Sequence, residues 1–278
     1  MTPPLSPFAT LVLAFEFGCV IAGLILLWRH GLSPAARATP PRLSAWNAPW
    51  PEFLTFAASV LLSTFLFAAL AGLISRQAGV SGHAATIANG AGAQLGMLLG
   101  VLLHHHILAP GGRTPHSAAG TLLRSGIVTF LSALPLLLLT AQLWEFALRA
   151  AGLPVARQDL IRILTEIESP ALIAAMVILA VGFAPLTEEL IFRGGVFRYL
   201  RTRWPRWSAL LLPSVFFAAL HVNWSTLEGL SSALPLVVLA MVFSLAYERT
   251  GQLGTAVVAH ACFNLNTLLV LFAGLAPD

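Results

Sequence analysis

The chain has 278 residues, of which 58% are hydrophobic and only 9% charged, and its mean hydropathy is +0.85. Soluble domains carry about a quarter charged residues, so this composition excludes an ordinary soluble protein and predicts an integral membrane protein. The net charge of +4 reflects 15 basic residues, all of them arginine, against 11 acidic ones. Because the arginines lie between apolar segments, as topology determinants do, they do not indicate nucleic-acid binding.

Eight apolar segments are candidates for crossing a bilayer, which takes about 20 residues of helix. In chain order they are 8–28, 53–74, 84–109, 122–148, 171–197, 207–222, 233–247 and 254–274. The sequence therefore predicts an all-α integral membrane protein, a polytopic bundle of about eight transmembrane helices forming a single domain over 1–278. The expected location is a bacterial plasma membrane, with the lipid bilayer as the constant partner.

The arginines also predict the orientation of these segments. Loops joining the first to the second, third to fourth, fifth to sixth and seventh to eighth segments, counted with Arg124 at the start of the fourth segment, hold ten arginines, and the opposite side holds four. Cytoplasmic loops carry the excess of basic residues, so both termini are predicted outside the cytoplasm. Cys19 and Cys262 both lie inside apolar segments and predict neither a disulfide framework nor a C-x-x-C metal site.

Two longer connections have their own patterns. Segment 29–52 contains five prolines, among them Pro40, Pro41, Pro49 and Pro51, and cannot form a continuous helix. Segment 157–170 has apolar residues at helical spacing among charges, which predicts an amphipathic helix on the membrane surface. Ser169 and Pro170 then read as the N-cap and the first residue of the fifth helix.

The stretch APLTEELIFRGG, 184–195, places two glutamates and an arginine after a long apolar run. Ionisable groups at membrane depth are costly, which favours a functional interpretation. Glu189 and Arg193 are four residues apart, so they share a helix face and can neutralise each other. Glu188 lies about 140° around the helix from Arg193, so we expect it to face another helix. Pro185 predicts a kink or break just before the carboxylates.

The sixth and eighth segments offer partners for that acid. Phe217 and His221 share a face, and an antiparallel hairpin turning near Arg203 brings His221 to the depth of Glu188. His260 and Asn264 share a face of the last segment. The fifth, sixth and eighth segments together predict a hydrolytic site inside the bundle.

In that site Glu188 accepts a proton from water and His221 orients the water. His260 and Asn264 supply donors for an oxyanion. An asparagine at membrane depth can also serve only to tie helices together, and both interpretations of Asn264 remain open at this point.

Three motifs in chain order resemble those of the CPBP family, which comprises type II CAAX prenyl endopeptidases and bacteriocin-processing or immunity (Abi) proteins. They are E-E-x-x-x-R at Glu188, Glu189 and Arg193, F-x-x-x-H at Phe217 and His221, and H-x-x-x-N at His260 and Asn264. The resemblance covers about residues 165–270. It implies an eight-helix fold and a glutamate-dependent intramembrane endopeptidase, with Glu188 and His221 activating water and His260 and Asn264 holding the oxyanion. The implied substrate is a membrane-associated peptide or a prenylated protein.

Other functions remain as alternatives. A member of the same family could act without proteolysis, as a bacteriocin-immunity or partner-binding protein, and buried carboxylates with histidines also occur in proton-coupled transporters. Glutamate and histidine are zinc ligands as well. The chain contains no H-E-x-x-H, however, and the ligands would be spread over three helices. We therefore expect no cofactor and no metal, with zinc as the alternative. The oligomeric state is left open.

Further polar residues are interpreted as structural. The histidines at 104–106 point in different directions on a helix, so they are expected at the membrane interface rather than around a metal. Glu145 and Arg149 form an i,i+4 pair near a helix end. Asn89 and Gln94, in a segment rich in glycine and alanine, indicate close helix packing. Glu16 has no partner that the sequence can name.

Overall fold

The computed structural model describes residues 5–108, 118–155 and 166–275. These ranges contain no strand and confirm the predicted all-α class. Within these ranges there are eight long helices, labelled α1 to α8 in chain order: Pro7–Leu32, Trp50–Gln77, Gly82–Leu108, Ala119–Ala150, Pro170–Arg203, Arg206–His221, Glu228–Thr250 and Leu253–Phe272.

Each of the eight predicted segments is helical, and seven of the helices are long and apolar enough to cross a membrane. The exception is α6, which has 16 residues. It begins after Pro205 and ends at His221, so it is shorter than the roughly 20 residues that a full span needs. Its C-terminal end therefore brings His221 to the level of the middle of α5.

The outer surface of the bundle is apolar, which supports embedding in a bilayer. Phe17, Leu62 and Phe146 are among many large apolar side chains that point outward, with exposed fractions of 69%, 70% and 73%. Apolar surface on this scale is characteristic of a lipid-facing surface rather than a water-facing one.

Helices α2 and α3 form a tight hairpin. Gly92, Gly96 and Gly100 lie on one face of α3, and a Cβ at any of them would overlap the main chain of α2. Small residues allow two backbones to approach closely in a membrane. The close packing predicted for this segment is therefore present.

The centre of the bundle is formed by α4, α7 and α8. Phe243 of α7 and Ala256 and Ala259 of α8 are completely buried there, against side chains of α4. α1 packs on the outer side of α4. This core fixes α8, and with it the face that carries His260.

Helix α5 is continuous but irregular. It contains two π-helical stretches, Leu179–Phe183 and Leu190–Phe197, on either side of the regular segment Ala184–Glu189. Pro185 lacks an N–H and releases a carbonyl of the preceding turn, where the π-helical stretch Leu179–Phe183 lies. The sequence predicted a kink or break here, but the helix is not broken. Ser169 precedes Pro170 at the start of the helix, although its side chain makes no capping hydrogen bond.

The connection between α1 and α2 is tied down by arginines. It contains a short helix, Pro34–Ala38, and then irregular chain from 39 to 49. Arg198 Nε donates to the Ser44 carbonyl at 2.9 Å, and Arg203 Nη1 donates to the Trp46 carbonyl at 2.9 Å. These arginines thus hold a loop in place, besides any effect that they have on topology.

Three of the polar residues outside the motifs have clear positions. His104 is 6% exposed and packs between Trp46 and Phe56, so its side chain is buried in the protein, and its place at the membrane interface stays a prediction. The π-helical turn at His104–Leu108 points it toward the loop, whereas its two neighbours at 105 and 106 are exposed. Glu145 and Arg149 form the expected pair, at 4.0 Å.

The Glu16 side chain lies beside that of Asn266 on α8. Most of the amphipathic helix predicted for 157–170 lies outside the described residues.

Candidate functional site

A cavity of about 350 Å³ lies among α3, α5, α6, α7 and α8. All four predicted catalytic residues line it: Glu188, His221, His260 and Asn264. The structure therefore brings together, from three helices, side chains that are up to 76 positions apart in the sequence. The rest of the lining is mostly apolar.

The Glu188 carboxylate faces both histidines. Its Oε2 lies 3.6 Å from His221 Nε2 and 3.9 Å from His260 Nε2. The Glu188 side chain is 13% exposed and the His221 side chain 36%, so the pair is accessible from the cavity. The expectation that Glu188 faces another helix, with His221 at matched depth, is confirmed.

His221 is held in one orientation by its own helix. Its Nδ1 lies 2.8 Å from the Phe217 carbonyl oxygen, and its ring lies 4.3 Å from the Phe217 ring. A carbonyl only accepts hydrogen bonds, so Nδ1 carries the proton and donates it. In the neutral imidazole, Nε2 is then an acceptor that faces Glu188.

Glu189 and Arg193 form the predicted pair, at 2.8 Å, and they are 0% and 1% exposed. The pair is not self-contained, because Glu189 Oε1 also accepts from His260 Nδ1 at 2.8 Å. Arg193 Nη2 donates to the Ala240 carbonyl of α7 at 2.9 Å. The pair thus connects α5 to α7 and α8, and it orients His260 with Nε2 toward Glu188.

Aromatic rings enclose this pair. The Arg193 guanidinium lies 4.9 Å from the centre of the Phe217 ring and 5.4 Å from that of Phe243. Cation–π contacts of this kind stabilise a desolvated guanidinium. Phe217 therefore contacts both Arg193 and His221, in agreement with its predicted supporting role.

Asn264 uses one amide hydrogen to bind α5. Its Nδ2 donates to the Ala180 carbonyl at 2.7 Å, within the first π-helical stretch. That contact joins two helices, as the structural interpretation expects. The amide nitrogen has a second hydrogen, and the side chain lines the cavity, so an oxyanion role is geometrically available too.

Two contributors to the site were missed from the sequence. Gln94 of α3 was assigned to helix packing, but it lines the cavity, and the Thr187 hydroxyl donates to its Oε1. Thr187 is completely buried and directly precedes Glu188. The signal in the sequence was the i, i+4, i+8 spacing of Thr86, Gly90 and Gln94, which puts all three on one face of α3.

The described ranges contain no group of three or more His, Cys, Asp or Glu side chains arranged to hold a metal ion. The arrangement is instead an acid facing two imidazoles at the edge of a cavity, which suits acid–base chemistry on a water molecule. Whether the protein uses a metal stays a prediction.

Residues 170–266 match the family model described as "Type II CAAX prenyl endopeptidase Rce1-like". This segment contains all seven motif residues, so the match confirms the family resemblance that the motifs indicated. A protein from Escherichia coli, described as an uncharacterized 24.3 kDa protein, is 34% identical over 91 residues, 32% of this chain and 40% of that protein. The chain thus spans less than half the length of this relative. No solved structure matches the chain.

Proposed function

We propose that this chain, whose residues 170–266 match the Rce1-like family model, is a glutamate-dependent intramembrane endopeptidase. The observation that carries the proposal is the Glu188 carboxylate, which lies 3.6 and 3.9 Å from two imidazole nitrogens on the wall of an accessible cavity.

The geometry supports activation of water between Glu188 and His221. Both groups are acceptors when Glu188 is ionised and His221 is neutral with Nδ1 protonated. A water placed about 2.8 Å from each can donate one hydrogen to Glu188 and the other to His221 Nε2. Its oxygen lone pairs then point away from both groups and are free to attack a carbonyl.

In the chemical step, Glu188 takes a proton as the water oxygen bonds to the carbonyl carbon of the scissile peptide. The tetrahedral intermediate carries its negative charge on the former carbonyl oxygen. When the C–N bond breaks, Glu188 returns the proton to the leaving nitrogen, so that a carboxylic acid and an amine are formed. The base is regenerated and no other reactant is consumed.

His260 and Asn264 are proposed to stabilise the oxyanion. Asn264 offers the amide hydrogen that Ala180 does not use. His260 Nδ1–H already donates to Glu189, so donation from Nε2 requires the imidazolium form. The hydrogen bond to Glu189 holds the ring with Nε2 toward the cavity, which is the part that the buried carboxylate–arginine pair plays in the proposal.

The proposed substrate is a membrane-associated peptide or a prenylated protein. The cavity walls are mainly apolar, with residues such as Met176 and Leu239 around the polar cluster. Such a wall suits a peptide with apolar side chains that approaches from the bilayer. No cofactor is required by this mechanism, and hydrolysis without a metal is part of the proposal.

The test uses purified protein in detergent and a panel of lipid-anchored fluorescent peptides, incubated in H₂¹⁸O. We expect at least one peptide to be cut, with one ¹⁸O atom in the new carboxyl group by mass spectrometry. The control is Glu145→Gln, because the pair of Glu145 with Arg149 lies away from the cavity. This variant should cut the same peptide at the wild-type rate. Peptides that bind but are never cut would contradict hydrolysis and support a partner-binding protein.

A further inference from the structure

Helix α3 has two different faces. Gly92, Gly96 and Gly100 pack directly against the main chain of α2, so that face is fully used. The opposite face, with Thr86, Gly90 and Gln94, lines the cavity. This helix lies outside the segment 170–266 that matches the family model, and it carries none of the three motifs.

Gln94 is oriented toward the cavity by the residue next to the proposed base. Its Oε1 contacts the hydroxyl of the completely buried Thr187, whose single hydrogen it shares with the Phe183 carbonyl oxygen, 2.9 Å from the same Oγ1. Its Nε2 has no hydrogen-bond partner within the part of the chain that the structure describes. A primary amide with one end fixed and two N–H donors at the cavity wall is suited to bind a carbonyl oxygen.

Gly90 lies one turn before Gln94 on the same face. A Cβ built there meets no atom within 4 Å, in contrast to the three glycines on the other face. The absence of a side chain keeps this part of the cavity wide and smooth. A peptide main chain can therefore approach the helix closely at this point.

We infer that α3 forms one wall of a peptide-binding groove, in which the Gln94 amide donates to a main-chain carbonyl of an extended substrate and Gly90 leaves room for the chain. The inference rests on the proposed function and makes it more specific. It assigns substrate positioning to a helix outside the motif segment and leaves the reaction to α5, α6 and α8. Recognition through the main chain also predicts that binding affinity depends little on which side chain the substrate carries at that position.

The experiment measures binding and cleavage separately, with the same lipid-anchored fluorescent peptides. Binding is measured by fluorescence anisotropy in a Glu188→Gln background, so that no peptide is cut. Cleavage is measured with Glu188 intact. In each background Gln94 is changed to Met, which keeps the length and removes the amide, and to Glu, which keeps the shape and removes the donors.

Gln94→Met should weaken peptide binding and raise KM about tenfold, with a smaller change in kcat, because it removes one hydrogen bond to the substrate. Gln94→Glu should weaken binding further, since it faces the substrate carbonyl with a second acceptor. Gln142→Met, on α4 away from the cavity, is the matched control and should bind and cut normally.

Gly90→Leu should obstruct the groove and weaken binding at least as much as Gln94→Met. Its control is Gly18→Leu on α1. A Cβ at Gly18 also meets no atom within 4 Å, but Gly18 does not line the cavity. Gly18→Leu should have no effect on binding or cleavage. Melting temperatures of all variants establish that the loss is not one of folding.

Normal binding and normal KM in Gln94→Met and Gly90→Leu would overturn the groove while leaving hydrolysis intact. Weakened binding in these variants, with no cleavage by the parent protein, would preserve the groove and refute hydrolysis. The two proposals can therefore fail independently.

Discussion

Among the described residues, the bundle buries a glutamate against arginine twice, once at Glu189 and once at Glu248 of α7. Glu248 is 1% exposed, and its two oxygens accept from Arg201 at 2.6 Å and Arg206 at 2.8 Å. Its carbonyl also accepts from the main-chain N–H groups of Arg42 and Leu43, so the loop is attached to the same point. A smaller cavity of about 120 Å³ lies there, with no histidine in its lining.

The difference between the two regions shows that a buried ion pair does not by itself make a site. Glu248 has both oxygens occupied by guanidinium groups, so it has no free position for a proton. Glu189 accepts from Arg193 and from His260 through Oε1 alone, and its buried Oε2 has no hydrogen-bond partner within the described residues. Its neighbour Glu188 faces only imidazole nitrogens and the cavity. The site combines a neutralised pair, which orients His260, with an adjacent acid that is free to react.

The largest stability effect is expected for Glu189→Gln. It leaves Arg193, which is 1% exposed, without a counter-charge, and breaking a buried pair costs about 3–5 kcal/mol. Chemical unfolding in detergent should show that loss. The rate should fall too, because His260 loses a charged partner. The control is Glu145→Gln, whose pair is partly exposed and worth at most about 1 kcal/mol. Equal stability of the two variants would mean that Arg193 does not depend on Glu189.

Substitutions of Asn264 test whether its side chain stabilises the oxyanion or only joins two helices. Asn264→Ala should lower kcat per folded molecule by about 10²–10³-fold. Asn264→Asp should be at least as harmful, because it puts negative charge where negative charge develops. The measurement is kcat together with the melting temperature. A normal kcat with a lowered melting temperature would leave only the hydrogen bond to Ala180 as the function of this residue.

Glu248→Gln should have a smaller effect, confined to stability. The Gln side chain has one acceptor oxygen in place of two, so one of the two charge-assisted hydrogen bonds becomes neutral and the other is lost. Arg201 and Arg206 are 29% and 47% exposed and regain water, so we expect a cost of about 1.5–3 kcal/mol. The kcat per folded molecule should stay at the wild-type value, because the cluster lies outside the proposed site. A large fall in kcat with unchanged stability would show that the two regions are coupled.

Removal of metal should have no effect at all. Prolonged dialysis against a strong chelator should leave the cleavage rate unchanged, and elemental analysis of the pure protein should find no stoichiometric metal. Activity that is lost on chelation and restored by zinc would replace the glutamate mechanism with a metal-dependent one.

The sequence predicted those parts of the site that depend on helical spacing. Glu189 and Arg193 are an i,i+4 pair, and His260 and Asn264 are another, so each pair could be assigned to one face. Matched depth in a helical hairpin then placed His221 opposite Glu188. These predictions need only the pitch of a helix and the position of the turn.

Contacts between helices that are distant in the chain could not be obtained in this way. Gln94 was interpreted as a packing residue because nothing in its own segment shows that its face meets Thr187. Glu16 likewise lacked a nameable neighbour until α1 and α8 were positioned against each other. The burial of His104 depends on a loop whose path is fixed by arginines that the sequence suggested only for topology. Tertiary contacts, not local periodicity, determine these positions.

The most direct measurement compares Glu188→Gln with Glu248→Gln in kcat per folded molecule and in melting temperature. Removing the general base should lower kcat by about 10²–10⁴-fold while the melting temperature stays near that of the wild type, because Glu188 holds no arginine. Glu248→Gln should instead lower the melting temperature and leave kcat per folded molecule at the wild-type value. Cleavage by Glu188→Gln at the wild-type rate would contradict the assignment of Glu188 as the base that activates water.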